Sequence, residues 1–111
     1  MKRLTDEQCE MIYREAMVAA RIATEKMIEE NPGFWYPCGF SWITIHPANC
    51  RFANYLKSKG VGQKAYGSGL QIWNPSNNVT QWMDAKVAGS QAFKDVLTKY
   101  DIVCKVHMRE D

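Results

Sequence analysis

The order of helical and strand-like segments is the feature of this sequence that most constrains its fold. Apolar residues recur at helical spacing over residues 5–30, 49–59 and 80–100, and side chains alternate with a period of two over 39–46, 68–74 and 102–108. The resulting order is α-β-α-β-α-β. Strands separated by helices favour crossover connections and some parallel pairing. We therefore expect an α/β or α+β fold, with a small sheet of three or four strands and a long N-terminal helix.

The first predicted helix has clear ends and two apolar sides. Thr5 and Gln8 have the spacing of a capping box, and Asn31-Pro32-Gly33 ends the helix. One apolar stripe is expected to face the core. The second stripe consists of Met11, Val18 and Ile22. Because a helix on one core needs only one stripe, we expect 1–31 either to close the second face of the sheet or to form a homo-oligomer interface, and we prefer the homo-oligomer because this stripe needs cover. Residues 34–111 are the predicted α/β core.

Length and composition exclude several classes of protein. A chain of 111 residues allows one domain, and its longest apolar runs are too short to span a bilayer. No apolar signal segment is visible, so the predicted location is the cytoplasm. The net charge of +2 is far from the basic balance of a general nucleic-acid binder, so any anion site must be local. The predicted free thiols are Cys9, Cys38, Cys50 and Cys104.

No catalytic or metal-binding motif is visible in the sequence. His46 and Cys50 are four residues apart, but Pro47 interrupts the element between them. A pair of Cys38 with His46 or His107 needs a contact that sequence spacing does not establish. We therefore expect neither metal nor cofactor and no enzymatic activity. A small enzyme that uses Cys38 or a histidine is the weakest alternative.

The side of the predicted sheet away from the core is aromatic and basic. Alternation places both strand indoles and several cations on that side together. Indoles offer planes for stacking a base, cations contact phosphate, and Gln71 offers hydrogen bonds to a base edge. The predicted ligand-binding residues are Trp42, His46, Lys64, Tyr66, Gln71, Trp73, Lys105, His107 and Arg109. The competing interpretation buries Trp42 and Trp73 beneath the first helix as core residues.

Two segments resemble small uncharacterised proteins that bacteriophages and prophages encode. They are PCGFSWITIHP at 37–47, followed by RFANYLK at 51–57, and DAKVAGSQAFKDVL at 84–97. The resemblance covers about residues 34–109 and carries no activity with it. It implies a context in which small accessory proteins act by binding a host protein, a nucleic acid or a nucleotide signal.

Two function hypotheses follow from the residues and the resemblance. The first is a non-enzymatic phage-type protein that holds a nucleotide-like or single-stranded nucleic-acid ligand on the aromatic and basic surface, in order to counter host defence. The second is a protein–protein interaction module that inhibits a host enzyme through Phe34-Trp35-Tyr36 and the outer side of the first helix. Neither hypothesis involves a membrane.

Overall fold

Three helices and four strands follow one another in the computed structural model of the protein, which describes residues 3–32, 37–65 and 67–111. The elements are α1 (Asp6–Glu30), β1 (Gly39–His46), α2 (Arg51–Ser58), β2 (Gln63–Lys64), β3 (Leu70–Trp73), α3 (Met83–Lys99) and β4 (Val103–Glu110). The fold is α+β. The predicted order is confirmed, with the addition of the two-residue strand β2 inside the Gly-rich segment 60–69.

The four strands form one sheet in the order β2-β3-β1-β4, and every pairing among the described residues is antiparallel. The prediction of some parallel pairing is therefore wrong. The helices do connect strands that run in the same direction, β1 to β2 and β3 to β4. In both cases, however, another strand lies between the two. Without the additional helix α1, this order is the split βαββαβ arrangement of ferredoxin-like folds.

The ends of the helices follow local capping. Thr5 caps α1, and its side chain and that of Gln8 form both hydrogen bonds of the predicted capping box. The helix α2 begins at Arg51 rather than at the predicted 49, because Cys50 is the N-cap and its thiol accepts a hydrogen bond from the amide of Ala53. No helix among the described residues is both long and apolar enough to cross a membrane.

The helix α1 packs along α3, and its apolar side joins the same hydrophobic cluster as α2, α3 and the helix side of the sheet. Gly89 of α3 allows the close approach, since a Cβ there would lie 2.4 Å from Oγ1 of Thr24. That hydroxyl donates a buried 2.7 Å hydrogen bond to the backbone oxygen of Ala85. The rings of Tyr13 and Phe93 pack edge to face, with their centroids 6.4 Å apart. The alternative in which the first helix closes the second face of the sheet is therefore wrong.

Period-two alternation of the strands decides which side of the sheet the helices cover. Ile43, Ile45 and Leu70 are buried on the helix side. They join side chains from all three helices in one cluster. The main members of this cluster are Cys9, Ile12, Ala16, Phe52, Leu56, Ile72, Phe93, Leu97 and Cys104. All three helices therefore lie on one side of the sheet, and its second side faces outward.

Candidate functional site

The outward side of the sheet carries one continuous set of aromatic, polar and basic side chains, which we call the aromatic–basic face. Directly opposite residues of an antiparallel pair point to the same side, so the strand register defines the set. Its members are Phe40, Trp42, Thr44, His46, Gln71, Trp73, Lys105, His107 and Arg109. Trp73 is 47% exposed, whereas Trp42 is partly buried. The alternation predicted from the sequence is confirmed on all three strands.

Three rings form a row across the middle of this face. Trp73 stacks on Trp42 with ring centroids 5.1 Å apart and planes inclined by 19°. His107 stacks on the other side of Trp42 at 5.5 Å and 10°. Both faces of the Trp42 ring are thus occupied, so a ligand reaches this indole only at its edge. The end members of the row are Trp73 and His107, and each has one plane that no other ring of the row covers. Phe40 also contacts Trp73, with ring centroids 5.6 Å apart and planes inclined by 37°.

The two histidines of the chain share one hydroxyl group. Oγ1 of Thr44 lies 2.8 Å from Nε2 of His46 and 2.9 Å from Nε2 of His107. A hydroxyl donates only one proton, so two neutral imidazoles satisfy it only when one Nε2 accepts and the other donates. Burial is the main cause that lowers the pKa of His107, and the neighbouring His46 and Lys105 lower that pKa further. The neutral form of this histidine is therefore favoured.

The cations of the face occupy different positions along β4. Lys105 lies opposite Thr44 and is exposed. Arg109 lies opposite Phe40, with its guanidinium carbon 5.5 Å from the centre of that ring. Lys86 of α3 reaches the same ring at 5.2 Å and donates a 2.8 Å hydrogen bond to the carbonyl of Gly39. Lys105 is thus the more available of the two β4 cations, because Arg109 already contacts an aromatic ring.

Lys64 lies at the sheet edge rather than on the aromatic–basic face. It pairs with Leu70, whose side chain is in the core, so Lys64 points to the helix side. Lys64 and His46 line a groove of about 560 Å³ at one end of the sheet. Other lining residues are Pro47, Ala48, Gly67, Ser68, Gly69 and Val103. Tyr66 lies outside the described residues, as do Phe34, Trp35 and Tyr36.

A second, smaller cavity lies beside the free plane of Trp73. Its volume is about 270 Å³, and its lining residues are Gly62, Gln63, Gln71, Ile72 and Trp73. Register places Gln63 opposite Gln71, and β2 begins at Gln63, so no β2 residue lies opposite Trp73. Sequence reasoning missed Gln63, because a two-residue strand inside a Gly-rich segment has no periodicity to detect.

The four cysteines differ in their environments. All four are free, as predicted, and Cys9 and Cys104 are buried. Burial raises the pKa of the Cys104 thiol to about 12, so this group stays protonated at neutral pH. Cys38 is exposed, and Cys50 caps α2. Among the described residues, no three His, Cys, Asp or Glu side chains converge as metal ligands.

The predicted oligomer stripe lies on the outer side of α1, away from α3. Its exposures are 69% for Met11, 54% for Val18 and 59% for Ile22. The opposite side of α1, with Ile12, Ala16 and Ala20, is buried in the core. Self-association through this stripe stays a prediction.

Comparison of the chain with protein-family models, with curated proteins and with solved structures found no match. The resemblance to phage-encoded proteins thus stays a prediction, and inferences about function rest on the geometry of the aromatic–basic face.

Proposed function

We propose that the protein binds single-stranded nucleic acid, or the nucleotides that compose it, on the aromatic–basic face without chemically altering the ligand. The observation that carries this proposal is the row Trp73–Trp42–His107, which lies on the side of the sheet opposite the helices. Contiguous exposed apolar patches often mark ligand-binding or interaction sites, and the half-exposed ring of Trp73 continues into those of Trp42 and His107. Four-stranded antiparallel sheets with aromatic side chains on the open side are one solution for stacking unpaired bases.

The chemistry of the face suits a base and its phosphate together. Trp73 offers a free plane, and stacking on such a plane contributes about 1–3 kcal/mol per base. Lys105 supplies an exposed cation two residues along β4 from His107, within the same side of the sheet. The modest net charge of +2 fits a ligand held by a few placed contacts rather than by a broad basic surface.

Charge reversal at Lys105 is expected to weaken binding of a labelled single strand by about tenfold at low salt, because loss of a phosphate contact weakens binding regardless of sequence. Fluorescence anisotropy with short fluorescein-labelled DNA and RNA strands, at low and moderate salt, measures the effect. The matched control is Lys57→Glu, since Lys57 is an exposed lysine of α2. Equal losses for Lys105→Glu and Lys57→Glu, or no binding of any strand by the unaltered protein, would contradict the proposal.

A homo-oligomer built through the outer side of α1 is a second candidate property, favoured by the exposure of Met11, Val18 and Ile22. Val18→Glu is expected to convert the oligomer to a monomer, because it puts a charge at the centre of the apolar contact. Sedimentation velocity measures the change. Val79→Glu is the matched control, since Val79 is 95% exposed in a loop. A monomeric unaltered protein at high concentration would reject this candidate.

A further inference from the structure

We propose that the cavity beside Trp73 is a nucleobase pocket with a preference for adenine. This inference rests on the proposed function, because it assigns one base of the ligand to a defined place on the open side of the sheet. The cavity is formed where β2 is too short to cover Trp73, so the ring plane remains open toward the sheet edge. We call this cavity the base pocket, and its lining residues are those of the 270 Å³ cavity above.

The first element of the base pocket is the free plane of Trp73. Trp42 covers the opposite face of the indole at 5.1 Å. Stacking on Trp42 fixes the orientation of Trp73, so the ring needs little ordering when a ligand arrives. A base in the base pocket extends the row of parallel rings by one member.

The second element is a pair of primary amides. Gln63 and Gln71 are directly opposite on neighbouring strands, and both belong to the outward side of the sheet. Neither side-chain amide forms a hydrogen bond with another side chain or backbone group in the described residues. Gln63 is exposed and Gln71 is half-buried, so both amides reach the cavity with free donors and acceptors.

The donor and acceptor pattern of these amides selects the base. A glutamine amide presents one acceptor beside one donor, and the best-known partner for this pair is adenine, through its N6 amino group and N7. Adenine presents a second donor–acceptor pair at N6 and N1, so each of the two amides can bind a different edge of the same base. Guanine presents such a donor–acceptor pair only at N1 and O6, because its Hoogsteen edge has two acceptors, which suit a cation, and none of the described residues that line the base pocket is a cation. Pyrimidines offer only one such edge and a smaller ring to stack.

The size of the base pocket fits a single base rather than a whole ligand. Its 270 Å³ is just below the roughly 300–1,000 Å³ of cavities that enclose small molecules. The sugar and phosphate therefore lie outside, over the open side of the sheet. Gly62 contributes backbone but no side chain to the wall. A Cβ at this position, where φ is +79°, would lie 3.0 Å from the carbonyl oxygen of Gln71.

The test is an NMR titration of ¹⁵N-labelled protein with AMP, GMP, CMP and UMP separately. AMP is expected to shift the side-chain amide signals of Gln63 and Gln71 and the indole signal of Trp73. Its affinity should exceed that of GMP by about tenfold, in keeping with the discrimination of one bidentate amide contact. Gln71→Leu should remove this preference. Gln91→Leu, at an exposed position of α3, is the matched control and should retain it.

Two results separate this inference from the proposed function. In the first result, labelled strands bind and Lys105→Glu weakens their binding, but AMP and GMP bind equally well or Gln71→Leu retains the preference for AMP. The proposed adenine pocket is then wrong, whereas the proposed binding of single strands to the aromatic–basic face is supported. If no strand and no nucleotide binds, both proposals fall. A chemical-denaturation curve for each variant identifies loss of fold, and Gln63→Leu supplies a second test at an exposed residue should Gln71→Leu unfold.

Discussion

Replacing Trp73 with alanine is expected to reduce single-strand affinity by roughly ten- to a hundredfold, which corresponds to the loss of one base-stacking plane. The reason is the order of the ring row: Trp42 already has a ring on each face, so within the row Trp73 and His107 are the members that offer a plane to a ligand. Removing Trp73 also uncovers one face of Trp42. A base that stacks on this new plane recovers part of the affinity, which is why the expected loss begins at about tenfold. Fluorescence anisotropy with labelled strands at low salt measures the affinity.

The control experiments separate lost stacking from lost stability. Trp73→Ala also loses the aromatic contact with Trp42, at a cost of about 0.5–1.5 kcal/mol in the free energy of unfolding. Trp73→Phe keeps a smaller plane and should bind with intermediate affinity. Val79→Ala removes an exposed apolar side chain elsewhere and should leave binding unchanged. Full affinity in Trp73→Ala with an intact unfolding transition would show that no base stacks on this ring.

The composition of the aromatic–basic face was predictable because it depends on local sequence. In a strand, the side of each residue follows from its position, so Trp42 and His46 had to share a side once 39–46 was identified as a strand. The same rule placed Gln71 with Trp73 and Lys105 with His107. Helical periodicity likewise identified the two apolar sides of the first helix. It did not indicate which element of the fold would pack against either side.

The arrangement of the rings was not predictable, because it depends on register between distant strands. Trp42 pairs with Trp73 on one neighbour and with His107 on the other, and neither pairing is encoded in a local pattern. Strand order also depends on pairing between distant strands. The helical connections indicated that the strands they join run in the same direction, but not that another strand would lie between them. Thr44, shared by both histidines, was visible only as a strand residue.

Lowering the pH from neutral is expected to tighten binding of a phosphate-bearing ligand. Burial and the charges of His46 and Lys105 lower the pKa of His107, so the free protein carries this imidazole in its neutral form at pH 7. A bound phosphate favours the imidazolium and raises that pKa. Affinity therefore increases as the pH falls toward the pKa of His107 in the free protein, by at most tenfold per pH unit for one linked proton.

The stability of the free protein is expected to change with pH in the opposite sense. Because the folded state favours neutral His107, the unfolded chain binds this proton more readily, at its ordinary pKa of about 6.5. The contribution of His107 to the free energy of unfolding is thus constant above that value. It declines as the pH falls from 6.5 to the lowered pKa of the folded state. Binding must be compared at pH values where the unfolding transition shows an intact fold.

His107→Gln is the variant that decides this pH dependence, because glutamine keeps a polar side chain beside Thr44 but does not titrate. Affinity for a labelled strand, measured between pH 5.5 and 8, should be nearly flat in this variant and should rise toward low pH in the unaltered protein. His46 shares the hydroxyl of Thr44, so His46→Gln tests whether the second imidazole takes up the proton instead. If affinity still rises toward low pH in both variants, the proton linked to binding lies on neither histidine but on the ligand or on another group of the protein.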